Sequence, residues 1–422
     1  MSSDLRIAVV GSGISGLVAA YLLQQKHQVT LLEKNKVIGG HSRTLVIAEG
    51  DREIPVDTGF IVFNEDNYPT LCRLFNELEV PSQKSNMSFG VSLHSGQIEY
   101  GTAPLSLIFA QKKNLLSIKH WQMLFGIRRF NKESLRLLDS KENPSLGDFL
   151  SANTYSQSFV ERFIVPMAAS IWSSAPKDIL DFPAKHLIHF FANHGLLDAK
   201  DRKQWRTVTG GSKQYINRLL AAFQGEVRTE VDIKSLQRSD SGISLTFEDG
   251  KTETYDQVVL ACHSDQALSL LAGSATEEEK SILGNIRFQS NRVILHSDSR
   301  LMPKKKKSWQ SWNFLSESSH WGEPRVCLSY WMNLLQSIDS NDPLIVSLNP
   351  DNPPDKSLIK NVWDTQHPIF DQAAIDAQAR LGEIQGKNGV WFAGAWQGYG
   401  FHEDGASSGL RVAEALGCTL KA

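Results

Sequence analysis

Gly11-Ser12-Gly13-Ile14-Ser15-Gly16 follows the apolar run Leu5-Arg-Ile-Ala-Val-Val10 without a gap. Glycines at this spacing have separate jobs. The first permits a tight turn, the second lets the backbone approach a pyrophosphate, and the third lets a helix pack close to the strand before it. The free amides of a helix beginning at Ile14 would then hold the anion. Glu33 stands 22 residues after Gly11, at the end of a second apolar run, Gln28-Val-Thr-Leu-Leu32. A carboxylate there accepts from ribose hydroxyls and disfavours a 2′-phosphate. The next segment, Lys34-Asn-Lys-Val-Ile-Gly39-Gly40-His41-Ser42, carries a paired glycine that would run the chain beneath the same ligand a second time. The chemistry indicated is dinucleotide binding.

The elements that must position these residues are a strand, a tight turn, a helix over residues 14–25 and a second strand, the unit of a parallel sheet. A helix is expected from Tyr68 to Leu78, and residues 80–100 alternate as in a small antiparallel sheet. Residues 104–200 are mostly helical in pattern. Strand patterns return near Val231, at Ile243–Thr254 and at Gln257-Val-Val-Leu-Ala261, then over 286–296 and 325–349. A helix is expected over 368–382, a last strand at Val390-Trp-Phe-Ala393, and a last helix starting near Gly405. The nucleotide-binding pieces therefore lie at the start, middle and end of the chain. The expected fold is α/β, a discontinuous Rossmann-like domain (residues 1–80, 205–285 and 385–422) with an inserted mixed-sheet and helical substrate domain (81–204 and 286–384).

With 422 residues the chain exceeds the usual size of one hydrophobic core. Apolar residues make up 41% and charged residues 21%, a globular composition, and a net charge of −2 gives no general attraction to nucleic acid. The four cysteines, Cys72, Cys262, Cys327 and Cys418, have no paired spacing, and no His, Cys or carboxylate cluster has the spacing of a metal site. No window approaches a membrane-spanning helix and no secretory pattern follows Met1. The expectation is a cytoplasmic protein, peripheral on the inner face of the membrane.

A second signature stands near the end of the sequence: Phe392-Ala-Gly394-Ala-Trp396, then Gly398-Tyr399-Gly400-Phe-His402-Glu403-Asp404-Gly405-Ala406-Ser407-Ser-Gly409. With Glu33 and Gly39-Gly40, it resembles the flavin-containing amine oxidase superfamily. That resemblance implies FAD as cofactor. It places Gly11 to Gly16, Glu33, Lys34 and Gly39 to Ser42 around it. Asp57, Thr58, Gly59 and Phe60 are placed where the chain passes the flavin, and Val231 where backbone atoms bracket the adenine. The loop and helix start from Gly394 through Glu403, Asp404, Gly405, Ala406 and Ser407 would face the flavin. Within the superfamily, Ile54–Asn64, Phe190–Leu196, Trp205–Gly211, Ser329–Asn333 and Gly398–Gly409 resemble a bacterial amine-oxidase-like group of NAD/FAD-binding proteins. Its relatives are often encoded beside cyclopropane-fatty-acid-synthase-like methyltransferases.

The resemblance implies hydride transfer to flavin from a hydrophobic molecule or phospholipid acyl chain, by desaturation or double-bond isomerisation, with a lipid methyltransferase as partner. Two other readings stand beside it: an oxidase of small amines or polyamines producing hydrogen peroxide, and an FAD-stabilised, non-catalytic methyltransferase partner. His402 falls where a cage tyrosine of an amine oxidase would be. Its imidazole suits proton transfer near neutral pH, or it fixes the glycine-rich loop by hydrogen bonding. Tyr399 and Tyr330 are proton donors or pocket wall. The strand that bears a lysine in amine oxidases matches Gln289–Leu295, so Asn291 or Arg292 replaces that lysine.

Residues 101–132 hold Lys112, Lys113, Lys119, Arg128, Arg129 and Lys132 with no Asp or Glu, interleaved with apolar and aromatic residues. Such a segment lies on an anionic membrane surface, or covers the substrate cavity with its basic side in water.

Overall fold

The computed structural model describes residues 4–102, 105–172, 176–197, 203–317 and 327–421. Residues 103–104, 173–175, 198–200 and 325–326, which fall in or beside segments expected to be structured, lie outside the described residues.

Arg6–Val10 and Gln28–Leu32 are strands whose last four residues are all buried, the pattern of a sheet covered on both faces. They pair in parallel, Val9 opposite Leu31, and Val9 also stands opposite Val259 of Gln257–Leu260. The completed sheet is parallel throughout, in the order Val390–Phe392, Gln257–Leu260, Arg6–Val10, Gln28–Leu32, Glu226–Arg228. The chain leaves Arg6–Val10 toward one neighbour and reaches the other only after residue 256. That reversal opens a crevice at the strand C-termini, where the glycine loop lies.

One face of this sheet carries the first helix, Ile14–Leu23, and the last, His402–Ala415. Their close approach rests on small residues. A Cβ on Gly409 would lie 2.3 Å from the Ser15 carbonyl oxygen, and one on Gly405 would lie 2.7 Å from the Ile14 side chain. A three-stranded antiparallel sheet, Ile233–Ser239, Gly242–Phe247 and Thr252–Tyr255, packs into the core on the other face.

The second core forms under a seven-stranded sheet in the order Ile359–Pro368, Phe288–His296, Ile345–Leu348, Cys327–Trp331, Trp312–Ser316, Phe89–Leu93, Ile98–Gly101. Its pairs are antiparallel except Trp312–Ser316 with Phe89–Leu93. The antiparallel hairpin expected over 80–100 is thus the edge of a larger mixed sheet. Helices Ile118–Glu133, Leu146–Ala152, Val165–Trp172 and Ala184–Asn193 contribute to the same core. The fold is the α/β arrangement expected: a Rossmann-like domain with an inserted mixed-sheet and helical domain.

Candidate functional site

Residues of both sheets line one cavity of about 2170 Å³. Pockets for a drug-sized ligand run to roughly 1,000 Å³, so a dinucleotide and a second molecule fit together.

The glycine loop forms one end. A Cβ on Gly11 would lie 2.5 Å from the Ala261 carbonyl oxygen, and one on Gly16 would lie 1.9 Å from the Gly11 carbonyl oxygen, so both positions are closed by backbone. Gly13 meets nothing within 4 Å and caps the first helix without a side-chain bond. Its open side and the bare helix start form a cradle for an anion. Gly39 and Gly40 have φ of +125° and +56°, and Gly40 packs on Gly13. Gly59 lets Asp57–Phe60 close on this loop, since a Cβ there would lie 1.9 Å from the His41 carbonyl oxygen.

Glu33 is buried. One carboxylate oxygen accepts from Ser12 N (2.9 Å) and Ser12 Oγ (2.6 Å), the other from Asn35 N (2.8 Å) and Asn35 Nδ2 (2.9 Å). All four lone-pair sites are taken, so a ribose hydroxyl must displace Ser12 Oγ or Asn35 Nδ2. Val231 also lines the cavity, but its N–H donates to the Glu33 carbonyl at 3.0 Å and is not free for a base edge. These residues fit a dinucleotide: an open glycine, free helix amides and a ribose-side acid held by the loop itself.

Of the residues expected at the cofactor, Gly11 to Ser15, Glu33, Lys34, Gly40 to Ser42, Thr58 to Phe60, Val231 and Gly394 line the cavity. Gly16, Gly39, Asp57 and Glu403 to Ser407 do not, and their contacts show why. Asp57 is fully buried, accepting from Thr44 Oγ1 (2.5 Å), Ser212 Oγ (2.8 Å), Ser212 N (2.9 Å) and Gln336 Nε2 (2.7 Å). It braces the hairpin Thr44–Glu49/Arg52–Asp57 against the turn at 210–212. Glu403 accepts from Thr70 N (2.9 Å) and Leu71 N (3.0 Å), capping helix Pro69–Glu77. Asp404 accepts from Phe401 N at 2.8 Å, and Ser407 Oγ lies 2.9 Å from Thr70 Oγ1. Gly405 and Ala406 belong to the interhelix packing.

His402 lines the cavity with its ring stacked on Phe60, centroids 3.8 Å apart and planes 7° apart. Its Nε2 lies 2.9 Å from Tyr215 Oη and 3.1 Å from Ser42 Oγ, and those two oxygens bond each other. Burial, with His41 adding, pushes the His402 pKa down to about 3. An imidazole so held is neutral at pH 7, which favours hydrogen bonding over net proton exchange. Tyr399 packs on His186, ring centroids 4.3 Å apart, and burial pushes its phenol up to about 12. Tyr330 stacks on Trp312 at 6.0 Å and is likewise raised by burial. All three line the cavity, from separate aromatic groups of its wall. Tyr215, the partner of His402, went unforeseen because no motif surrounds it.

The family model for flavin containing amine oxidoreductases matches residues 14–417. The chain belongs to that family. No curated protein matches the chain. Among solved structures, a fatty acid isomerase from P. acnes that produces CLA superposes with a TM-score of 0.67 at 14% identity, covering 99% of both chains. Cyclohexylamine oxidase from Brevibacterium oxydans IH-35A gives 0.67 at 15% identity over 98% of both. Putrescine oxidase bound to putrescine gives 0.68 at 13% identity over 98% of this chain and 99% of its own. At such identities the likeness is one of fold. Membership of the flavin containing amine oxidoreductases makes the chain an FAD-dependent oxidoreductase and supports FAD as its cofactor.

On the strand matched to the family's lysine, Phe288, Ser290 and Val293 line the cavity. Asn291 bonds Asn349 at 2.8 Å and Arg292 is exposed, and neither lines the cavity. Away from the residues expected at the cofactor, the lining includes a large apolar group, Ile108, Met123, Leu124, Ile127, Phe163, Met167, Ile171, Val346 and Leu348, beside polar residues such as Ser170 and Asn131. Helix Ile118–Glu133 has two sides. Leu124, Ile127, Arg128 and Asn131, at helical spacing, face the cavity, while Ile118 (76% exposed), Trp121 and Phe125 (65%) face outward beside Leu116 (91%). Of the two roles open for residues 101–132, the cavity wall is occupied, yet its outer side is apolar as well as basic. Among the described residues no helix is long and apolar enough to cross a membrane, and no group of His, Cys, Asp or Glu has metal-holding geometry.

Proposed function

We propose that the protein removes a hydride, taken up by its flavin, and a proton, passed to solvent, from neighbouring carbons of a hydrophobic substrate, a fatty acyl chain or membrane lipid. This leaves a new double bond with oxygen or an electron carrier as final acceptor, or a shifted one where hydride and proton return to the chain. The observation that carries this reading is the apolar group in the cavity lining. Among the described residues, the carboxylates that line the cavity are Glu33, Asp232 and Asp364. Glu33 is bound to Ser12, Asp232 pairs with Lys34 at 3.0 Å, and Asp364 is exposed. Among the described residues, no acid stands with Met123, Phe163, Met167 and Ile171 in the lining to hold an ammonium group.

Gly11 to Ser15, Glu33, Gly40 to Ser42, Thr58 to Phe60 and Gly394 would hold FAD, which when bound supplies the two-electron redox chemistry. The chain aligns the substrate carbon by apolar contact and excludes water. His402, tied to Tyr215 and Ser42, orients the reacting region through hydrogen bonds at Nε2. Arg128, both exposed and cavity-lining, stands at the rim, where a lipid headgroup would rest.

A second reading is favoured by the comparisons: the cyclohexylamine and putrescine oxidases share the fold, which supports oxidation of a small amine with release of hydrogen peroxide. The resemblance to proteins encoded with cyclopropane-synthase-like enzymes supports the lipid reading and a lipid methyltransferase as partner.

Anaerobic bleaching of the flavin band, at about 450 nm, decides between the two. Reduction by phospholipids with unsaturated, cyclopropanated or methylated chains, with amines inert, is the expected result. Reduction by amines alone would replace the lipid reading with the amine one. If neither bleaches the band, chain analysis of the recovered lipid must show a moved double bond for the proposal to stand.

A further inference from the structure

Three histidines from distant parts of the chain meet on the cavity wall beside the glycine loop. His41 follows Gly40, whose added Cβ would lie 3.1 Å from Gly13 Cα. His263 follows Ala261 and Cys262, the segment that closes on Gly11. His367 lies near the end of the strand Ile359–Pro368. The ring centroids of His367 and His263 are 5.6 Å and 6.4 Å from that of His41, and all three residues line the cavity.

The charges around them are few. His41 Nε2 lies 2.7 Å from Thr365 Oγ1, and the His41 ring is 6.1 Å from Trp363, over which Arg43 is placed at 4.9 Å. His263 stacks on Phe288 at 4.2 Å, feels Asp265, and has a buried Nδ1 without a hydrogen-bond partner. His402 lies near enough to His41 for the His41 imidazole to disfavour a proton on it. On the loop side the Glu33 carboxylate is fully bonded to Ser12 and Asn35. The wall thus gathers three imidazoles and one guanidinium beside a loop shaped for an anion, with Asp265 and the exposed, cavity-lining Asp364 as the acids of the neighbouring segments; His263 Nδ1 is open, and the bonds of His41 to Thr365 and Gln366 must yield as an anion enters.

We infer that His41, His263 and His367 clamp the diphosphate of the cofactor and take up at least one proton as it binds. This rests on the reading that the cavity holds FAD. Burial holds His41 at about 3 and His367 at about 4, with the neighbouring imidazoles adding, and it lowers His263 as well. In the chain alone they are neutral at pH 7. A dianion set among them raises all three values, because an opposite charge favours the protonated form. Affinity therefore rises as the pH falls through the raised values, down to those of the chain alone.

The test is FAD binding to the flavin-stripped full chain, followed by flavin fluorescence from pH 5.5 to 8.5 and by calorimetry in buffers of different ionisation enthalpy. Expected are uptake of about one proton at pH 7 and a loss of affinity approaching tenfold per pH unit on the alkaline side. ADP-ribose, which shares the diphosphate diester and has no phosphate that titrates in this range, should show the same slope, and riboflavin, which lacks it, none. His41→Gln, His263→Gln and His367→Gln should each reduce proton uptake, with thermal melts confirming that the variants fold. FAD binding without proton uptake in the wild-type chain would overturn the clamp and leave the cofactor reading intact. Failure to bind FAD at any pH would overturn both.

Discussion

A methyl group at Gly13 would meet nothing within 4 Å, whereas one at Gly16 would fall 1.9 Å from the Gly11 carbonyl oxygen. Gly13 has φ −65° and ψ 174°, which alanine adopts without strain. Gly13→Ala should leave the melting temperature of the flavin-free protein unchanged or slightly raised while lowering flavin content at least tenfold. Gly16→Ala should destabilise the chain itself, by about 1–3 kcal/mol in denaturant melts. Equal losses of stability in both variants would contradict the cradle. Asp57 offers a pH experiment. Burial pushes its carboxyl up to about 6 despite the bonds from Thr44, Ser212 and Gln336. The folded state therefore holds that proton more tightly than the unfolded chain does. The associated stability is complete below about pH 4 and is lost as the pH rises through 6, amounting to roughly 3 kcal/mol at most. Asp57→Asn should remove this component, seen as a smaller decline in stability between pH 4 and 7 than in the wild type. Residues 11–16 and 33 were legible in the sequence because a single turn and its flanking strands bring them together. His263, His367 and Tyr215 were not, because only tertiary pairing carries them to His41 and His402.

The last helix shows how a local signal can be read correctly as helix while the residues expected at the ligand, Glu403 to Ser407, stay out of the cavity lining. Its start was expected near Gly405 and lies at His402, because the N-cap is Phe401, outside the usual Ser, Thr, Asp or Asn set, with Asp404 closing back on its amide. Glu403 then points away from the cavity to cap Pro69–Glu77. Glu403→Gln should cost about 1–2 kcal/mol of stability through the loss of charge-assisted bonds to Thr70 and Leu71. Flavin content should stay unchanged. A fall in flavin content without a fall in melting temperature would restore Glu403 to the cofactor site. Strand patterns over 286–296 and 390–393 corresponded to Phe288–His296 and Val390–Phe392. Their neighbours in the sheets were not readable, since period and propensity say nothing about order.

At the scale of the molecule, the outward side of Ile118–Glu133 and the preceding turn join exposed apolar residues to Lys112, Lys113, Lys119 and Lys132, while Arg128 faces the cavity and Arg129 pairs with Glu133 at 2.7 Å. The other side of that helix walls the cavity. Docking on an anionic bilayer would therefore put the acyl chains next to Arg128 and the apolar lining. Vesicle sedimentation should show binding to phosphatidylglycerol-containing membranes, weaker in high salt and on phosphatidylcholine alone. Replacing Leu116, Ile118 and Phe125 with serine should reduce it about tenfold or more without changing flavin content. Binding unaffected by these three substitutions would place the contact elsewhere.

The five-stranded sheet carries a consequence in time. Its central strand, Arg6–Val10, emerges early from the ribosome, yet its neighbour Gln257–Leu260 and the edge strand Val390–Phe392 come far later. The small-residue seam between the first and last helices closes later still. A growing chain therefore carries its glycine loop and one unpaired edge of that central strand until residues 257–260 are made, an edge open to pairing elsewhere in the interval. Pairing across such sequence separation is slow, and the supply of flavin in the cell during that interval will influence how much of each batch matures.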